Sequence, residues 1–565
     1  MKSNTTVISM LGNLLKSYGV SHILVSPGSR NAPIALGFKS MNCFEMHAVV
    51  DERSSAFIAL GMALRTKSPV AIICTSGSAA LNYAPGIAEA FYQKIPLIAI
   101  TADRPAAWIN QLEGQTINQI DLFSNYIRNS ISLPSGPQNR EDLIYIKRQI
   151  NQSLTRTLYP VPGPVHINIP LSEPLYEKPL IEEQLLNKNL KINIQQPNLA
   201  LTEDQKGSLI ELLAQSKKPM FIIGQMDTDN GLSHLLEKIE NKHKAVILTE
   251  HTSNVKTSEC ISCIDRTIEG IKEDELFAPD LLITFGEAIV SKKIKRWLIT
   301  CPPAKHIHIA EDATGQIVDT FQSISNTIIA KIPAALEGIS EIPTNKTEEK
   351  QEFFNRWSAL SKKAKERHDE YLGSAPYSDL SVFEKLFEII PRGSKIHLAN
   401  SSPVRYAQLF DIQGEFEFLS NRGVSGIDGS VSTAVGYAKL DPDNWNTLIT
   451  GELGFLYDSN ALFNKLVPDN LIIIVINNAG GNIFKIIPGP TDFEGSDDLI
   501  IFDHHFKCKG IAENFDIHYT AVKIIDEIST VLTDAYQKKK AQIIEIITPV
   551  ESSDILKNYF KFITA

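Results

Sequence analysis

The chain has 565 residues, 43% hydrophobic and 21% charged, with a net charge of −10. That is the make-up of an ordinary globular protein of several domains, and it excludes the basic field that would draw nucleic acid or an anionic membrane surface. Any anionic substrate must therefore be met by local arginines.

The first twenty residues show helical apolar spacing broken by Ser, Gly, Asn and Lys, without the continuous apolar core of a signal peptide. Apolar runs elsewhere are too short to span a bilayer, so a cytoplasmic protein without membrane insertion is expected. The six cysteines suggest no disulfide framework, and Cys260-x-x-Cys263 lacks the second pair that a zinc or redox site requires.

Strand-like runs then alternate with helical patterns: His22–Val25, Val70–Ile73, Leu97–Ile100 and Val165–Asn168. This rhythm implies βαβ units around a parallel sheet. It breaks at 175–205, a polar stretch with scattered prolines that reads as a linker. A second unit carries Phe221–Gly224, Ala245–Leu248, Leu281–Thr284 and His306–Ile309, and stops at the charged stretch 340–352. A third carries Lys395–Leu398, Thr447–Thr450, Leu471–Ile476 and Ile543–Ile547. The expectation is an α/β protein of three domains, 1–180, 200–340 and 352–565, each a parallel sheet flanked by helices.

The strand tips are chemically unequal. In the first unit they read SPGSR (26–30), DER (51–53), TSGS (75–78) and TADRP (101–105); in the third, NSS (400–402), SNRG (420–423) and SGIDG (425–429). The stretch GELGFLYDSNALFNKLVPDNLIIIVINNAGGNIF (451–484) places Glu452 after one strand and Asn478 after the next. Ligands of open α/β sheets sit at strand carboxyl ends, so the two can converge. A carboxylate, an amide oxygen and a carbonyl are hard ligands suited to Mg²⁺ with phosphate oxygens. Asp458 or Ser459 could cap a helix through Leu466.

A glutamate at a strand-to-helix junction of the first domain, with an acidic-Asn-Gly set in the third, resembles the layout of thiamine diphosphate-dependent enzymes over essentially the whole chain. Within them the similarity is closest to the 2-succinyl-5-enolpyruvyl-6-hydroxy-3-cyclohexene-1-carboxylate synthases of menaquinone biosynthesis. It is carried by SPGSRNAP (26–33), DERSSAFIALGMA (51–63), TSGSAALNYAPGIAEA (75–90), TADRP, SNRGVSGIDG (420–429), YDSNAL and NNAGGNIF. The resemblance implies pyrimidine-binding, central and diphosphate-binding domains, in that order. It implies decarboxylation of 2-oxoglutarate and addition of the resulting carbanion to isochorismate, in a homodimer or homotetramer.

The same resemblance assigns residues. Glu52 would act on the cofactor's aminopyrimidine; burial beside Phe57 and Ile58 would raise its pKa and a helix N-terminus would lower it. Arg30, Arg104, Arg405 and Arg422 would bind substrate carboxylates, with Ser29, Gln115, Ser401 and Lys292 beside them and Lys293 adjacent to the last. Ser425, Ile427, Ile483 and Phe484 would hold the cofactor, and Glu452, Asn478 and the Gly480 carbonyl a Mg²⁺ or Mn²⁺ ion. Two positions depart from the family: Glu452 stands where aspartate is usual, and Gly114 where asparagine tends to be. Alternative readings are another 2-oxo acid decarboxylase or carboligase, which the set of arginines disfavours, and a non-catalytic protein retaining the fold.

Overall fold

The β-branched apolar runs become strands buried on both faces, because helices cover each side of a parallel sheet. The computed structural model describes all residues except 1–3, 136–138, 177–180, 187, 196, 198, 229, 272–274, 413–414, 487–488, 490–493, 496 and 565. Its named strands form three sheets of six, five and six strands.

In space the first sheet runs Glu45–Ala48, His22–Val25, Val70–Cys74, Leu97–Asp103, Val165–Pro170, Asn129–Ser132. The third runs Glu417–Leu419, Lys395–Leu398, Asn446–Gly451, Leu471–Asn477, Gln542–Ile547, His518–Val522. Counted within each domain, both have the order 2-1-3-4-6-5, so these two domains are topological copies. The central sheet runs Asn326–Ile329, Lys305–Ala310, Leu281–Phe285, Pro219–Ile223, Val246–Thr249. The sequence reading found the central sheet's edge strand Val246–Thr249 but not the other edge strands, which are short and carry polar residues.

The two copies meet through helices Glu52–Thr66 and Ser430–Lys439. Glycines let the backbones touch: a Cβ on Gly61 would lie 2.0 Å from the Thr433 carbonyl oxygen, and one on Gly436 would lie 1.9 Å from that of Ile58. Phe57, Ile58, Val431 and Ala434 fill the seam. The start of the first helix, and with it Glu52, is thereby fixed relative to the third domain.

The polar stretch 175–205, expected to be a linker, also packs on the first domain through its described residues. It contains helix Glu183–Leu186 and lies along the first helix, Asn4–Ser17. Asn13 Nδ2 donates to the carbonyls of Leu185 (2.8 Å) and Leu186 (2.6 Å), and Asn151 Nδ2 to that of Leu190 (3.1 Å). Its polar composition reflects a backbone anchored by side-chain amides rather than by a sheet. Helix Glu348–Leu372 similarly serves two cores: Phe353, Phe354 and Trp357 pack into the central domain, while His368 bonds Tyr559 of the last helix at 2.9 Å. No helix among the described residues is long and apolar enough to cross a membrane.

Beneath the first sheet's strand tips, His166 Nε2 lies 2.7 Å from Thr101 Oγ1, and burial lowers the imidazole pKa to about 4. Neutral histidine is thus favoured in the fold. Its contribution is fully present above the unfolded value near 6.5 and is lost as pH falls through about 4. Between pH 7 and pH 4.5 the native protein should lose roughly 2–3 kcal/mol more than His166→Gln, at about 1.4 kcal/mol per unit. Denaturant midpoints at the two pH values check this.

Candidate active site

In the third sheet the strand order reverses between Lys395–Leu398 and Asn446–Gly451, and a crevice opens beyond their carboxyl ends. It is lined by the tips of both strands (Ala399–Pro403 and Thr450–Gly454), by Asn478–Phe484 except Ala479, and by Ile427. Thus Ser401, Ile427, Glu452, Asn478, Gly480, Ile483 and Phe484, distant in sequence, share one cavity. Ser401 (φ 75°) and Ala479 (φ 63°) adopt left-handed backbone at its rim, conformations that cost energy outside glycine.

Glu452 begins helix Glu452–Tyr457 and is 3% exposed. Its Oε1 accepts from the Gly480 N–H at 2.9 Å and lies 3.2 Å from His504 Nε2. Burial pushes the carboxyl up to about 8, and nearby Asp379 adds to the rise, although backbone N–H groups oppose it. Asn478 Nδ2 donates to Asp379 Oδ2 at 2.8 Å, and Asp379 Oδ1 accepts from Thr548 Oγ1 at 2.6 Å. With its amino group so committed, Asn478 leaves Oδ1 buried without a hydrogen-bond partner. A buried orphan acceptor beside a buried carboxylate is a donor set that a hard divalent cation would satisfy. The residues present therefore fit such a cation, with the Glu452 carboxylate held against the Gly480 N–H.

Asp458 has a different task from the cap expected of it. Both its oxygens are engaged by Ser432, through the backbone N–H (2.7 Å) and Oγ (2.7 Å), so it anchors the Ser430 helix. The segment after it is a short 3₁₀ turn, Ser459–Leu462, without a side-chain cap. Burial pushes the Asp458 carboxyl up to about 7, with Arg53 opposing at 4.0 Å.

In the first domain, Asp51 caps the Glu52 helix by accepting from the Ser54 N–H at 3.0 Å. Glu52 is half-buried, and its carboxyl is raised: desolvation outweighs the lowering by its own backbone N–H and by Asn82. Buried Arg30 donates to the Leu171 carbonyl (2.8 Å) and to Glu173 (3.1 Å). Its pKa is lowered by burial and then by Arg104, so the two guanidinium groups feel one another. Arg104 reaches the Gly114 carbonyl at 3.3 Å; Ser29 and Gln115 are exposed, Gln115 at φ 54°.

A second cationic group joins the central and third domains. Arg422 donates to Asn400 Oδ1 at 2.8 Å; burial lowers its pKa, and Arg405 lowers it further. Lys295 is likewise lowered by burial and by Arg422, Arg405 and Lys292, with Glu250 opposing. Glu250 accepts from the Val290 and Ser291 N–H groups, each at 2.7 Å. Lys293 turns away, pairing with Glu269 and lying 3.2 Å over the Phe560 ring. Lys292 is exposed at the start of its helix.

The structure keeps the first-domain residues apart from the cavity: Glu52, Ser29, Arg30, Arg104 and Gln115 do not line it. Ser425 (φ 67°) is also outside the lining, its N–H turned toward Glu89. Sequence reading missed Glu89, which accepts from the Gly423 and Val424 N–H groups at 2.7 Å each and ties the 420–429 loop to the first domain. It also missed Asp379, His504 and Lys295. A Ser-Asp dipeptide at 378–379 looks like a helix start, and nothing local marks it as the partner of Asn478.

Residues 5–122 match the family model described as "Thiamine pyrophosphate enzyme, N-terminal TPP binding domain". Duplicated α/β domains, a desolvated glutamate on one and a buried acid-amide set on the other define the thiamine diphosphate-dependent enzymes. The chain is 37% identical to a 2-succinyl-5-enolpyruvyl-6-hydroxy-3-cyclohexene-1-carboxylate synthase of Flavobacterium psychrophilum, covering 97% of this chain and 96% of the relative. It is 37% identical to that of Bacteroides fragilis, over 99% of each chain. It is 34% identical to that of Porphyromonas gingivalis, over 99% of this chain and 97% of the relative. The chain belongs to this synthase family.

Proposed function

We propose that the protein catalyses decarboxylation of 2-oxoglutarate and addition of the remaining four-carbon unit to isochorismate, giving 2-succinyl-5-enolpyruvyl-6-hydroxy-3-cyclohexene-1-carboxylate and CO₂ in menaquinone biosynthesis. The reading is carried by full-length similarity to synthases named for this product, and is supported by Arg30, Arg104 and Arg422 in loops that follow strands of the two duplicated domains, with Arg405 in the helix after another such strand. Thiamine diphosphate, when bound, would supply a nucleophilic thiazolium carbon and an electron sink for the pair left behind when CO₂ departs.

The chain's residues do the rest. Glu52, desolvated and raised, holds a proton at the aminopyrimidine ring. Ile427, Ile483 and Phe484 give the cofactor an apolar seat, with Ser425 in the adjoining turn. Glu452, Asn478 Oδ1 and the Gly480 carbonyl hold Mg²⁺ or Mn²⁺ for the diphosphate. Arg30 and Arg104, with Ser29 and Gln115, form one anion-binding face; Arg405, Arg422, Lys292 and Ser401 form the other. Paired carboxylate–guanidinium contacts fix both substrates.

Domain limits of 1–180, 200–340 and 352–565 assign pyrimidine-binding, central and diphosphate-binding roles. Since Glu52 does not line its own chain's cavity, the first domain of one subunit completes the third-domain cavity of another. The smallest active unit is a homodimer, and a homotetramer repeats it. Exposed Trp108, Leu112, Val424 and Tyr457 supply apolar surface for that contact. The setting is cytoplasmic.

Donor choice tests the role of the arginines. With 2-oxoglutarate and pyruvate offered separately, kcat/KM for pyruvate should be at least roughly 10²-fold lower, because the guanidinium groups built for the second carboxylate go unpaired. Equal use of both donors would favour a general 2-oxo acid carboligase.

A further inference from the structure

At the opposite end of the first sheet from its strand tips, the edge pair His22–Val25 and Glu45–Ala48 brings three metal-type donors together. His22 and Glu45 are register partners across the parallel pair, and His47 follows Glu45 by two residues on the same face. His22 Nδ1 is 3.6 Å from Glu45 Oε2, and His47 Nε2 is 3.4 Å from Glu45 Oε1. Donor atoms of the three residues lie within 4.8 Å of one another. The two rings are nearly parallel, at 13° with centroids 6.1 Å apart.

Both histidine nitrogens are buried and without a hydrogen-bond partner. That is a cost the fold bears unless something occupies the space between them. The imidazole side chains are 15% and 10% exposed, whereas Glu45 is 57% exposed, so the group opens to solvent on its carboxylate side only.

We infer that His22, Glu45 and His47 form a binding site for a divalent transition metal of the zinc type, separate from the cofactor cation. Donors bonded tetrahedrally at about 2.0–2.1 Å lie about 3.4 Å apart, so the two histidine-to-carboxylate spacings already match and only a small ring movement closes the third. Two imidazoles and one carboxylate select Zn²⁺ over Mg²⁺, which takes oxygen ligands. Burial lowers the pKa of both histidines and outweighs the opposing Glu45 carboxylate, favouring the neutral form that coordinates; near His47, His22, Lys439 and Lys39 add to the lowering. Three protein ligands leave one position for water. The metal joins an edge strand to its neighbour and takes no part in the reaction.

The test uses the full-length protein, stripped of metal, with excess Mg²⁺ present to occupy the cofactor-cation site. Zn²⁺ titration followed by calorimetry, and Co²⁺ titration followed by visible absorption, should each report one equivalent per chain, the cobalt with the intense bands of tetrahedral coordination. Glu45→Gln alters a 57% exposed side chain outside the cofactor cavity, and should weaken Zn²⁺ binding at least tenfold while leaving turnover unchanged. His22→Gln and His47→Gln should abolish it. No Zn²⁺ equivalent in the native chain would overturn the assignment, and so would an equivalent that Glu45→Gln and both histidine variants retain, which would place the zinc elsewhere.

Discussion

Glu52→Gln should lower kcat by roughly 10²–10⁴-fold, the range for loss of a positioned acid-base group, while thiamine diphosphate binds within a few-fold of its native affinity. Glutamine preserves the shape and hydrogen-bonding reach of the side chain but cannot exchange a proton at the aminopyrimidine. The half-buried Glu52 carboxyl is raised mainly by desolvation, and the N-terminal turn of its helix only partly offsets this. The variant keeps the Asp51 cap and the glycine seam at Gly61 and Gly436, so the fold should be retained. Steady-state turnover alongside a cofactor titration separates the two effects. Undiminished turnover would remove Glu52 from the reaction.

The second large effect is expected at Glu452. Glu452→Ala should abolish retention of metal and cofactor together, because it deletes the only acidic donor beside the orphan Asn478 Oδ1 among the residues lining the cavity, apart from Asp379, which is occupied by Asn478 and Thr548. Cofactor affinity at saturating Mg²⁺ and Mn²⁺ reads this directly, and a loss below about tenfold with either ion would contradict it. Mixing Glu52→Gln and Glu452→Ala subunits tests the shared site. In a mixed dimer one cavity receives both lesions and the other neither, so exchange should restore about a quarter of native activity. No recovery after demonstrated exchange would mean that each chain builds its site alone.

Much of this arrangement was legible in the sequence, for a physical reason. Buried parallel strands need apolar runs, so residues 471–476 stand out, as do 543–547 with Glu545 the one interruption, and polar residues that end such runs are driven to the ligand-binding edge. Glu452 and Asn478 could be paired that way. Their supports could not: Asp379 lies 99 residues from Asn478, and Glu89 lies 334 from Gly423. Such partners are chosen by the packing of helices from different parts of the chain. The balance at Glu52 was also closed to sequence, since burial and helix start act in opposite directions. Asp458 misled because a capping residue type before a turn looks the same whether it serves the next helix or, as here, the Ser430 helix.

The most direct measurement supplies purified protein with thiamine diphosphate, Mg²⁺ or Mn²⁺, 2-oxoglutarate and isochorismate, and follows CO₂ release and isochorismate loss together. Consumption of the two in equal amounts, with each dependent on the other substrate, is the predicted result. CO₂ release that proceeds at full rate without isochorismate, or isochorismate left intact while 2-oxoglutarate is consumed, would contradict the assigned reaction.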